Sequence, residues 1–555
     1  MTDKVLIVTG SMISAKESSL LAALRKQRAA LQVSSGAWLD IQSKIHAAEL
    51  LLSQRLHFLT SAFRRSPYRN EVETYFQNRM NFDTPELTEV LLATLIAAEG
   101  LSFEVATLTE LHADSTLRMR LLDECSCVLL STTLLRDLSE LVPLARMLKR
   151  PGNKVVLGGA LTSMLHGEWR HSGIADVLAV GSGELLIPCI AEWIRGGYQE
   201  LQPPPQGRLE KRGDTLLLFS GVHSSRSLDH LVRPDWELAA RYHGRSLDMV
   251  YYESVRGCPY RCSFCNYPFL FDDNKFRTKS AQKIAEDWAH YASHGVKTVT
   301  CLDSLFTMPK KRLVELCDRL LADGTEVDWV CYARADDLAD LETCRLMKRA
   351  GCIQVQIGVE SGSQQQLDNM NKKCTVAQNR TALLNCREAG LASVATVILG
   401  FPGETAGTIE ETFQLLKEAP PDLYYAAAFN TRFEGVPILQ EKEAGRFGLE
   451  TLRGGHSSIP YWRHSTMSST DVAHWQRWFS RRMAEERVAL DGMLFYGGFL
   501  GYRQDQRPAL LDFQRDFYRG HPFLRGVFER LDRWAHGRLV ADVDRVFGGG
   551  AEAVV

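Results

Sequence analysis

Cysteine is missing from the last third of the chain: of the thirteen cysteines in 555 residues, the last is Cys386. An odd number of cysteines at mostly irregular spacing excludes a disulfide framework. Most of them are expected to fill buried space, as small apolar side chains do. This usage is typical of a reducing compartment, so we predict that the protein is cytoplasmic.

Strong charge and long apolar runs are also lacking. The formal net charge is −2, so no field of one sign predicts binding to nucleic acid or to a lipid surface. No segment approaches the roughly 20 apolar residues of a membrane span. The N-terminal MTDKVLIVTG is too short for a secretory signal and predicts a buried strand instead. We therefore expect no nucleic-acid partner and no membrane.

Strand and helix patterns alternate in the first part of the chain, which predicts a doubly wound, Rossmann-like parallel sheet over residues 1–215. A polar, helix-rich insertion is expected at about 14–80, after the first strand. QPPPQG and a possible hairpin, GRLEKRGDTLLLF, lead into a linker over 216–247. The predicted strands of this sheet are residues 4–9, 103–108, 125–132, 153–160 and 174–184.

A second series of six β/α units predicts a partial (β/α)6 barrel over residues 248–440, with ligands at the carboxyl ends of its strands. Its predicted strands begin at MVYYESV and continue at 297–303, 327–334, 353–361, 393–401 and 422–430. Residues 441–555 are expected to be helical and to close the barrel mouth over a substrate. Tyr461, Trp462, Arg463 and His464 are candidates there, although aromatic residues at this spacing are also typical of a core.

Three cysteines follow the first barrel strand in GCPYRCSFCN, at the spacing C-x3-C-x2-C: Cys258, Cys262 and Cys265. A structural zinc site needs four ligands, and no fourth lies nearby, although a distant ligand stays possible. The alternative is a [4Fe–4S] cluster held at three irons, whose fourth iron is open to a small molecule.

This loop resembles the C-x3-C-x-aromatic-C loop of the radical S-adenosylmethionine (SAM) enzymes, and GVESGSQQQLDNMNKK and VILGFPGET resemble their fourth-strand and fifth-strand segments. Thr396 replaces the first glycine of the fifth-strand pattern, and LDSLF (302–306) replaces the usual second-strand Gly-Gly-Glu. Asp303 is a substitute for binding the SAM amine, or a helix cap. The resemblance implies SAM contacts by Phe264, Asp303, Arg334, Glu360, Ser361, Gly400 and Pro402.

The N-terminal half resembles the cobalamin-binding domain that precedes the radical SAM barrel in a large enzyme class, through LGGALT (157–162) and DVLAVGSGE (176–184). The first strand ends in TGSMISAKES, without the Asp-x-His-x-x-Gly motif, so no histidine ligand to cobalt is expected. The insertion should cap the lower cobalamin face or the nucleotide tail. The implied cobalamin contacts are Ser131, Thr132, Thr133, Gly158, Gly159, Thr162, Gly181, Gly183, Glu184 and Arg69.

Together these resemblances imply an enzyme, a cobalamin-dependent radical SAM methyltransferase with a [4Fe–4S] cluster, SAM and cobalamin as cofactors. It would transfer a methyl group through methylcobalamin to a carbon of a small-molecule or peptide natural-product precursor, such as one related to tryptophan or indole. A flavodoxin- or ferredoxin-like protein would supply electrons. Two alternatives stay open: a cobalamin enzyme that cyclises, rearranges or oxidises without methylation, and a radical enzyme whose N-terminal domain only docks a partner. No auxiliary cluster is expected, because cysteines end at Cys386.

Overall fold

The computed structural model describes ten ranges and four single residues between positions 45 and 52. The ranges are 3–10, 65–79, 84–135, 138–221, 225–269, 275–430, 435–452, 461–495, 502–520 and 522–547. Most of the predicted insertion at 14–80, together with residues 11–13 that lead into it, lies outside them. Among the described residues, no helix combines the length and the apolar character that crossing a bilayer requires.

The N-terminal sheet has seven strands in the order β2-β1-β3-β4-β5-β7-β6, and every neighbouring pair is parallel except β6 with β7. Its strands are β1 Val5–Thr9, β2 Phe103–Thr107, β3 Cys127–Ser131, β4 Lys154–Gly158, β5 Val177–Val180, β6 Arg208–Arg212 and β7 Thr215–Phe219. The helices up to the end of this region are α1 Arg69–Arg79, α2 Leu87–Ala98, α3 Leu108–Ala113, α4 Ser115–Glu124, α5 Leu138–Leu148, α6 Ala160–Leu165 and α7 Gly183–Arg195.

Helices cover both faces of this sheet because alternate residues of each strand point to opposite sides. Leu6 and Leu130 pack with α5 on one face, whereas Ile7 and Leu129 pack with α2 and α7 on the other. The doubly wound fold predicted from the sequence is confirmed. The predicted hairpin is β6–β7, and its second strand extends the sheet to Phe219.

The second sheet is the partial barrel, in which six parallel strands follow one another in chain order. Helix α8 (Trp236–His243) leads into it. Its strands are β8 Met249–Tyr252, β11 Thr298–Cys301, β12 Asp328–Arg334, β13 Cys352–Glu360, β14 Ala392–Leu399 and β15 Leu423–Ala428; β9 Val255–Arg256 and β10 Arg277–Thr278 form a separate antiparallel pair. Its helices are α9 Ala281–Ser293, α10 Lys310–Ala322, α11 Leu341–Arg349, α12 Gln364–Asn369, α13 Val376–Ala389 and α14 Ala406–Glu418.

The C-terminal region contains the expected helices and a small antiparallel sheet that the sequence did not predict. Its elements are α15 Glu441–Phe447, β16 Glu450–Leu452, β17 Tyr461–His464, β18 Met467–Ser468, α16 Ser469–Glu485, β19 Leu490–Asp491, α17 Arg507–Arg519 and α18 Pro522–Phe547. Strand β19 pairs in parallel with β15, so the barrel sheet has seven strands rather than six. A two-residue strand leaves no periodic pattern in a sequence.

Candidate active site

The three cysteines lie in the loop that leaves the barrel after β9, at the carboxyl end of the first barrel strand. Gly257 begins this loop with a φ of +74°, and a Cβ there would lie 2.3 Å from the Lys275 carbonyl oxygen. Only glycine meets both conditions. Cys262 is buried, and Cys258 and Cys265 are half-buried. The loop therefore starts from a fixed backbone position.

Neighbouring segments hold this loop by backbone hydrogen bonds. Ser263 N donates to Met370 O at 2.9 Å, and Ser263 Oγ donates to Asn369 O at 3.1 Å. Ile438 N donates to Ser263 O at 2.9 Å. The predicted SAM-contacting Phe264, next along the loop, meets Phe401 edge to face with ring centroids 6.4 Å apart. The loop is thus fixed from the fourth-strand, fifth-strand and C-terminal sides.

Arg334 and Glu360 belong to a network of charged side chains beside the cysteine loop. The Arg334 guanidinium lies 3.7 Å from the centroid of the Tyr260 ring and donates to Lys372 O at 2.7 Å. Lys372 Nζ is 2.8 Å from Glu360 Oε1, and both side chains are about nine-tenths buried. Glu360 has a φ of +60°, which strains a residue with a Cβ. Such strained, charged strand ends are typical of binding sites.

Burial raises the pKa of the Cys262 thiol, while nearby Lys372 and Arg334 oppose that shift. Burial raises the pKa of Cys265 to about 11. Since a cluster binds thiolates, loading it must release protons from this loop. The three thiols, the fixed backbone and the adjacent cations fit a metal cluster with three protein ligands.

The Asp303 side chain is not exposed to the barrel interior. It is fully buried, and its carboxylate accepts hydrogen bonds from Ser254 N, Ser254 Oγ and Val255 N at 2.6, 2.5 and 2.8 Å. It therefore braces the segment before the cysteine loop, and burial raises its pKa to about 6. The alternative helix-cap role does not apply either, because Ser254 and Val255 are not in a helix. Exposed Leu302 occupies the position facing the cleft.

Ser361 is likewise buried. Its hydroxyl lies 3.1 Å from Thr412 Oγ1 and accepts from Ser363 N at 3.1 Å, so it shapes the turn after β13. Glu360 and Ser361 are therefore adjacent in sequence but differ in role: Glu360 reaches the charged network, whereas Ser361 supports its backbone.

The fifth-strand end also needs glycine. Gly400 has a φ of +80°, and a Cβ there would lie 2.7 Å from Val472 Cγ2 and 3.0 Å from Trp462. Pro402 is buried beside it. His464 Nε2 lies 3.3 Å from Gly400 O, and burial lowers the pKa of His464 to about 4. Trp462 and His464 therefore cover this strand end, whereas Arg463 points outward to Glu450.

A cavity of about 280 Å³ lies in the cleft between the two sheets. Seven of the ten residues expected to contact cobalamin line it: Ser131, Thr133, Gly158, Gly159, Gly181, Gly183 and Glu184. The opposite wall comes from the barrel and contains Glu253, Arg256, Tyr267 and Leu302. The strand ends of both sheets thus meet at one cleft.

Glycine is required in the N-terminal wall. Gly159 has a φ of +100°, and a Cβ there would lie 2.6 Å from Thr133 Oγ1 and 3.1 Å from Thr133 N. Thr132 and Thr162 stay behind this turn, with their hydroxyls 3.0 Å apart. Deeper in, the cavity is apolar and runs between α2 and α7; Leu91, Leu95, Leu186, Ile187 and Ile190 line it.

Arg256 joins the two walls and was not identified from the sequence. Its Nη2 lies 2.5 Å from Glu184 Oε1 and 2.8 Å from Glu253 Oε2, and its Nη1 lies 3.0 Å from Glu184 Oε2. Asn266 Nδ2, next to Cys265, lies 3.2 Å from Met164 Sδ of α6. The sequence offered one indication that Arg256 matters, its position directly before Gly257-Cys258. It did not indicate the partner, because Glu184 is 72 residues away.

Arg69 is not brought to this cavity. It lies on α1 and pairs with Glu73 at 2.8 Å. That helix packs against the C-terminal region: Val72 and Tyr75 share a core with Phe513 of α17. The expectation about the lower cobalt ligand concerns residues outside the described ranges.

Residues 252–416 match the Radical SAM superfamily. The anaerobic magnesium-protoporphyrin IX monomethyl ester cyclase of Cereibacter sphaeroides is 28% identical over 296 residues, which are 52% of this chain and 48% of that protein. The chain spans about half the length of the curated relatives it matches.

Two solved structures share the fold. The radical SAM methyltransferase TsrM from Kitasatospora setae, with cobalamin and a [4Fe–4S] cluster bound, superposes with a TM-score of 0.61 at 16% identity, covering 97% of this chain and 100% of TsrM. The cobalamin-dependent radical SAM enzyme OxsB, with aqua-cobalamin and SAM bound, gives 0.55 at 14% identity and covers 84% of this chain and 78% of OxsB. Residues 252–416 are thus a radical SAM domain, which implies a [4Fe–4S] cluster and SAM, and the chain shares its overall fold with TsrM and OxsB.

Proposed function

We propose that the chain is a cobalamin-dependent radical SAM methyltransferase acting on a carbon of a small-molecule or peptide precursor. The observation that carries this proposal is the shared cleft. Glycine-rich strand ends of a doubly wound sheet form one wall, and the barrel segment that leads into the cysteine loop forms the other. Doubly wound sheets bind ligands at such strand ends.

Cys258, Cys262 and Cys265 would hold the cluster, with SAM on the open iron. When bound, this pair supplies a 5′-deoxyadenosyl radical after electron transfer from a flavodoxin- or ferredoxin-like donor. The chain's own part is positioning. Glu360 and Lys372 place opposite charges beside the loop, and the Gly400 backbone leaves room at the fifth-strand end.

Cobalamin would bind against the wall that the N-terminal sheet contributes, across the cleft from the barrel. Gly158, Gly159 and Gly181 let a large planar ring approach the backbone, and the apolar depth between α2 and α7 suits its nucleotide tail. When bound, it would carry the methyl group. Glu184 is held by Arg256, so it would face the ring as part of a rigid, charge-neutralised wall rather than as a free base.

The substrate would enter the barrel interior. By strand parity, the interior side chains are those that do not pack against the outer helices, and the half-buried Thr300, Tyr332, Gln356 and Thr396 are among them. This lining combines aromatic surface with polar groups, which suits an aromatic, hydrogen-bonding precursor such as an indole.

A labelled-methyl assay tests the proposal. Anaerobically reconstituted enzyme is supplied with SAM carrying a labelled methyl group, a reductant and a panel of aromatic and peptide precursors. We expect label in product together with S-adenosylhomocysteine. Cys262→Ala should lose iron and all 5′-deoxyadenosine formation, whereas Cys189→Ala, at a half-buried cysteine outside the loop, should retain both. Deoxyadenosine formation by Cys262→Ala would refute the cluster assignment.

A non-methylating reaction is the second candidate, because the cyclase of Cereibacter sphaeroides is among the relatives of this chain. It predicts 5′-deoxyadenosine without S-adenosylhomocysteine. A third possibility, a docking domain without cobalamin, predicts an enzyme that is fully active with no cobalt.

A further inference from the structure

A cluster of two histidines and a glutamate lies outside the cleft described above. His290 and His294 stand one helical turn apart at the end of α9, and Glu237 lies in the first turn of α8. Their nearest imidazole nitrogen and carboxylate oxygen atoms all lie within 4.8 Å of one another. Residues four apart share a helix face, so both rings point toward the same helix, α8.

The distances suit a tetrahedral metal ion. His290 Nε2 is 2.9 Å from Glu237 Oε1, and His294 Nε2 is 3.5 Å from Glu237 Oε2. Zinc bonds of about 2.0–2.1 Å at tetrahedral angles place neighbouring ligand atoms about 3.3 Å apart. The two observed distances, which run to the two oxygens of the Glu237 carboxylate, lie near this value. One ligand atom from each of the three residues lies within 4.8 Å of the others, so small side-chain rotations would bring them onto one ion.

The hydrogen bonding of His294 favours a metal ligand. Its Nδ1 lies 2.8 Å from the backbone carbonyl oxygen of His290, so it donates a proton there. The neutral ring then carries its lone pair on Nε2, which faces Glu237. A second hydrogen bond that fixes the tautomer and ring orientation is the usual support of a metal-binding histidine.

Other charged groups of the same pocket are already engaged. Arg233 is 3.8 Å from Asp287, and Asp235 caps α8 by accepting from Leu238 N at 2.7 Å. Glu237, His290 and His294 are 43%, 31% and 42% exposed, which leaves water access for a fourth ligand. The set therefore has three donors and one open position.

The location gives the cluster a structural task. It lies in a pocket of about 410 Å³ lined also by Thr94 of α2, Leu247 before β8 and Val296 before β11. Leu247 and Val296 mark the amino ends of two barrel strands, whereas the cysteine loop lies at the carboxyl end. Helix α8 belongs to the segment that crosses from the first sheet to the barrel, and Asp235 N donates to Thr94 Oγ1 at 2.9 Å.

We propose that Glu237, His290 and His294 form a binding site for a transition-metal ion of the zinc class, which ties the interdomain helix α8 to the barrel helix α9. Imidazole and carboxylate ligands in this number suit Zn²⁺ and also Ni²⁺ or Cu²⁺. The ion is additional to the metals of the cleft and takes no part in the chemistry there.

Equilibrium dialysis of the reconstituted holoenzyme against Zn²⁺ tests binding, because its cluster cysteines are then occupied and do not compete. Elemental analysis should show one zinc per chain at low micromolar free Zn²⁺. His294→Gln and Glu237→Gln should weaken the affinity at least tenfold. His243→Gln is the matched control, since His243 is 30% exposed and pairs with one carboxylate, Glu89, at 2.8 Å.

Hydrogen exchange tests the tie itself. Zn²⁺ should slow amide exchange in residues 236–247 of the wild type and of His243→Gln, but not of His294→Gln. Equal zinc affinity in wild type and His294→Gln, or binding only at millimolar Zn²⁺, would overturn the site. Site-dependent binding without any change in exchange would overturn the proposed tie between the helices.

Discussion

Replacing Arg256 with methionine removes the charge that joins the two walls of the cleft. Arg256 and Glu184 are 10% and 11% exposed, and their bidentate contact uses both guanidinium nitrogens at 2.5 and 3.0 Å. Methionine keeps much of the length and apolar surface. The Glu184 carboxylate would then stay buried without a cation, and the Glu253 carboxylate would lose the same partner.

The cost follows from desolvation. Removing one partner of a buried ion pair typically costs about 3–5 kcal/mol, because the remaining charge is unpaired. For domains of this size, 1 kcal/mol lowers Tm by roughly 2–4 °C, so Arg256→Met should lower the first unfolding transition by about 6–20 °C. The exposed pair Lys297–Asp248 is the control, since its side chains are 74% and 59% exposed. Lys297→Met should change stability by less than about 1 kcal/mol.

The pH dependence gives a second check. In the wild type, burial opposes ionisation of Glu184, but Arg256 outweighs it and lowers the pKa of Glu184. This stabilisation is present above the unfolded pKa of about 4.3 and is lost as pH falls through the lower folded pKa. In Arg256→Met only a backbone hydrogen bond and the charge of Lys279 still oppose burial, so the pKa of Glu184 should rise, and acidification toward pH 5 should narrow the gap in stability between variant and wild type.

Differential scanning calorimetry at pH 7.5 and 5.5 measures both effects, and Arg256→Met/Glu184→Gln should recover part of the loss. The reasoning is refuted if Arg256→Met unfolds within the range of the Lys297→Met control, or if its deficit grows on acidification.

Two further variants test the cleft and the fifth-strand end. Gly159→Ala combines a φ of +100° with a Cβ 2.6 Å from Thr133 Oγ1, whereas Gly152→Ala has a φ of +90° and open space. Both should lose about 1–3 kcal/mol of stability from backbone strain, but only Gly159→Ala should retain less cobalt after gel filtration while keeping its iron. Equal cobalt content in the two variants would contradict a cobalamin-binding role for the turn at Gly159. Burial raises the pKa of Glu404 to about 8, above its unfolded value, so its stabilising contribution falls as pH rises from about 4.5 to 8. The stability of Glu404→Gln relative to wild type should therefore rise over that pH window in thermal melts. Stability profiles of the two proteins that run parallel with pH would contradict the raised pKa of Glu404.

Local patterns were sufficient for the elements that carry both sheets. VLIVTG predicts a buried strand because its apolar, β-branched residues suit a two-sided sheet, and all five residues of β1 are buried. The strand-end turns at Gly159 and Gly181 were also identified, because glycine meets a positive φ there. These features depend on residues adjacent in sequence.

The interactions that sequence reasoning missed depend on the tertiary structure. Arg256 finds Glu184 across the cleft, and no spacing rule links the two positions. Asp303 follows a strand as a ligand-binding residue would, yet the Ser254 turn buries it completely. Arg69 was placed near cobalamin because it belongs to the predicted insertion at 14–80, but its helix packs on α17 instead.

The central claim, that one cleft holds both cofactors, is tested most directly by metal analysis. The protein is purified without oxygen, reconstituted with iron, sulfide and cobalamin, and passed through gel filtration before iron and cobalt are measured. The account predicts about four irons and one cobalt per chain, with cobalt reduced in Gly159→Ala and iron lost in Cys262→Ala. Four irons with no retained cobalt in the wild type would contradict it.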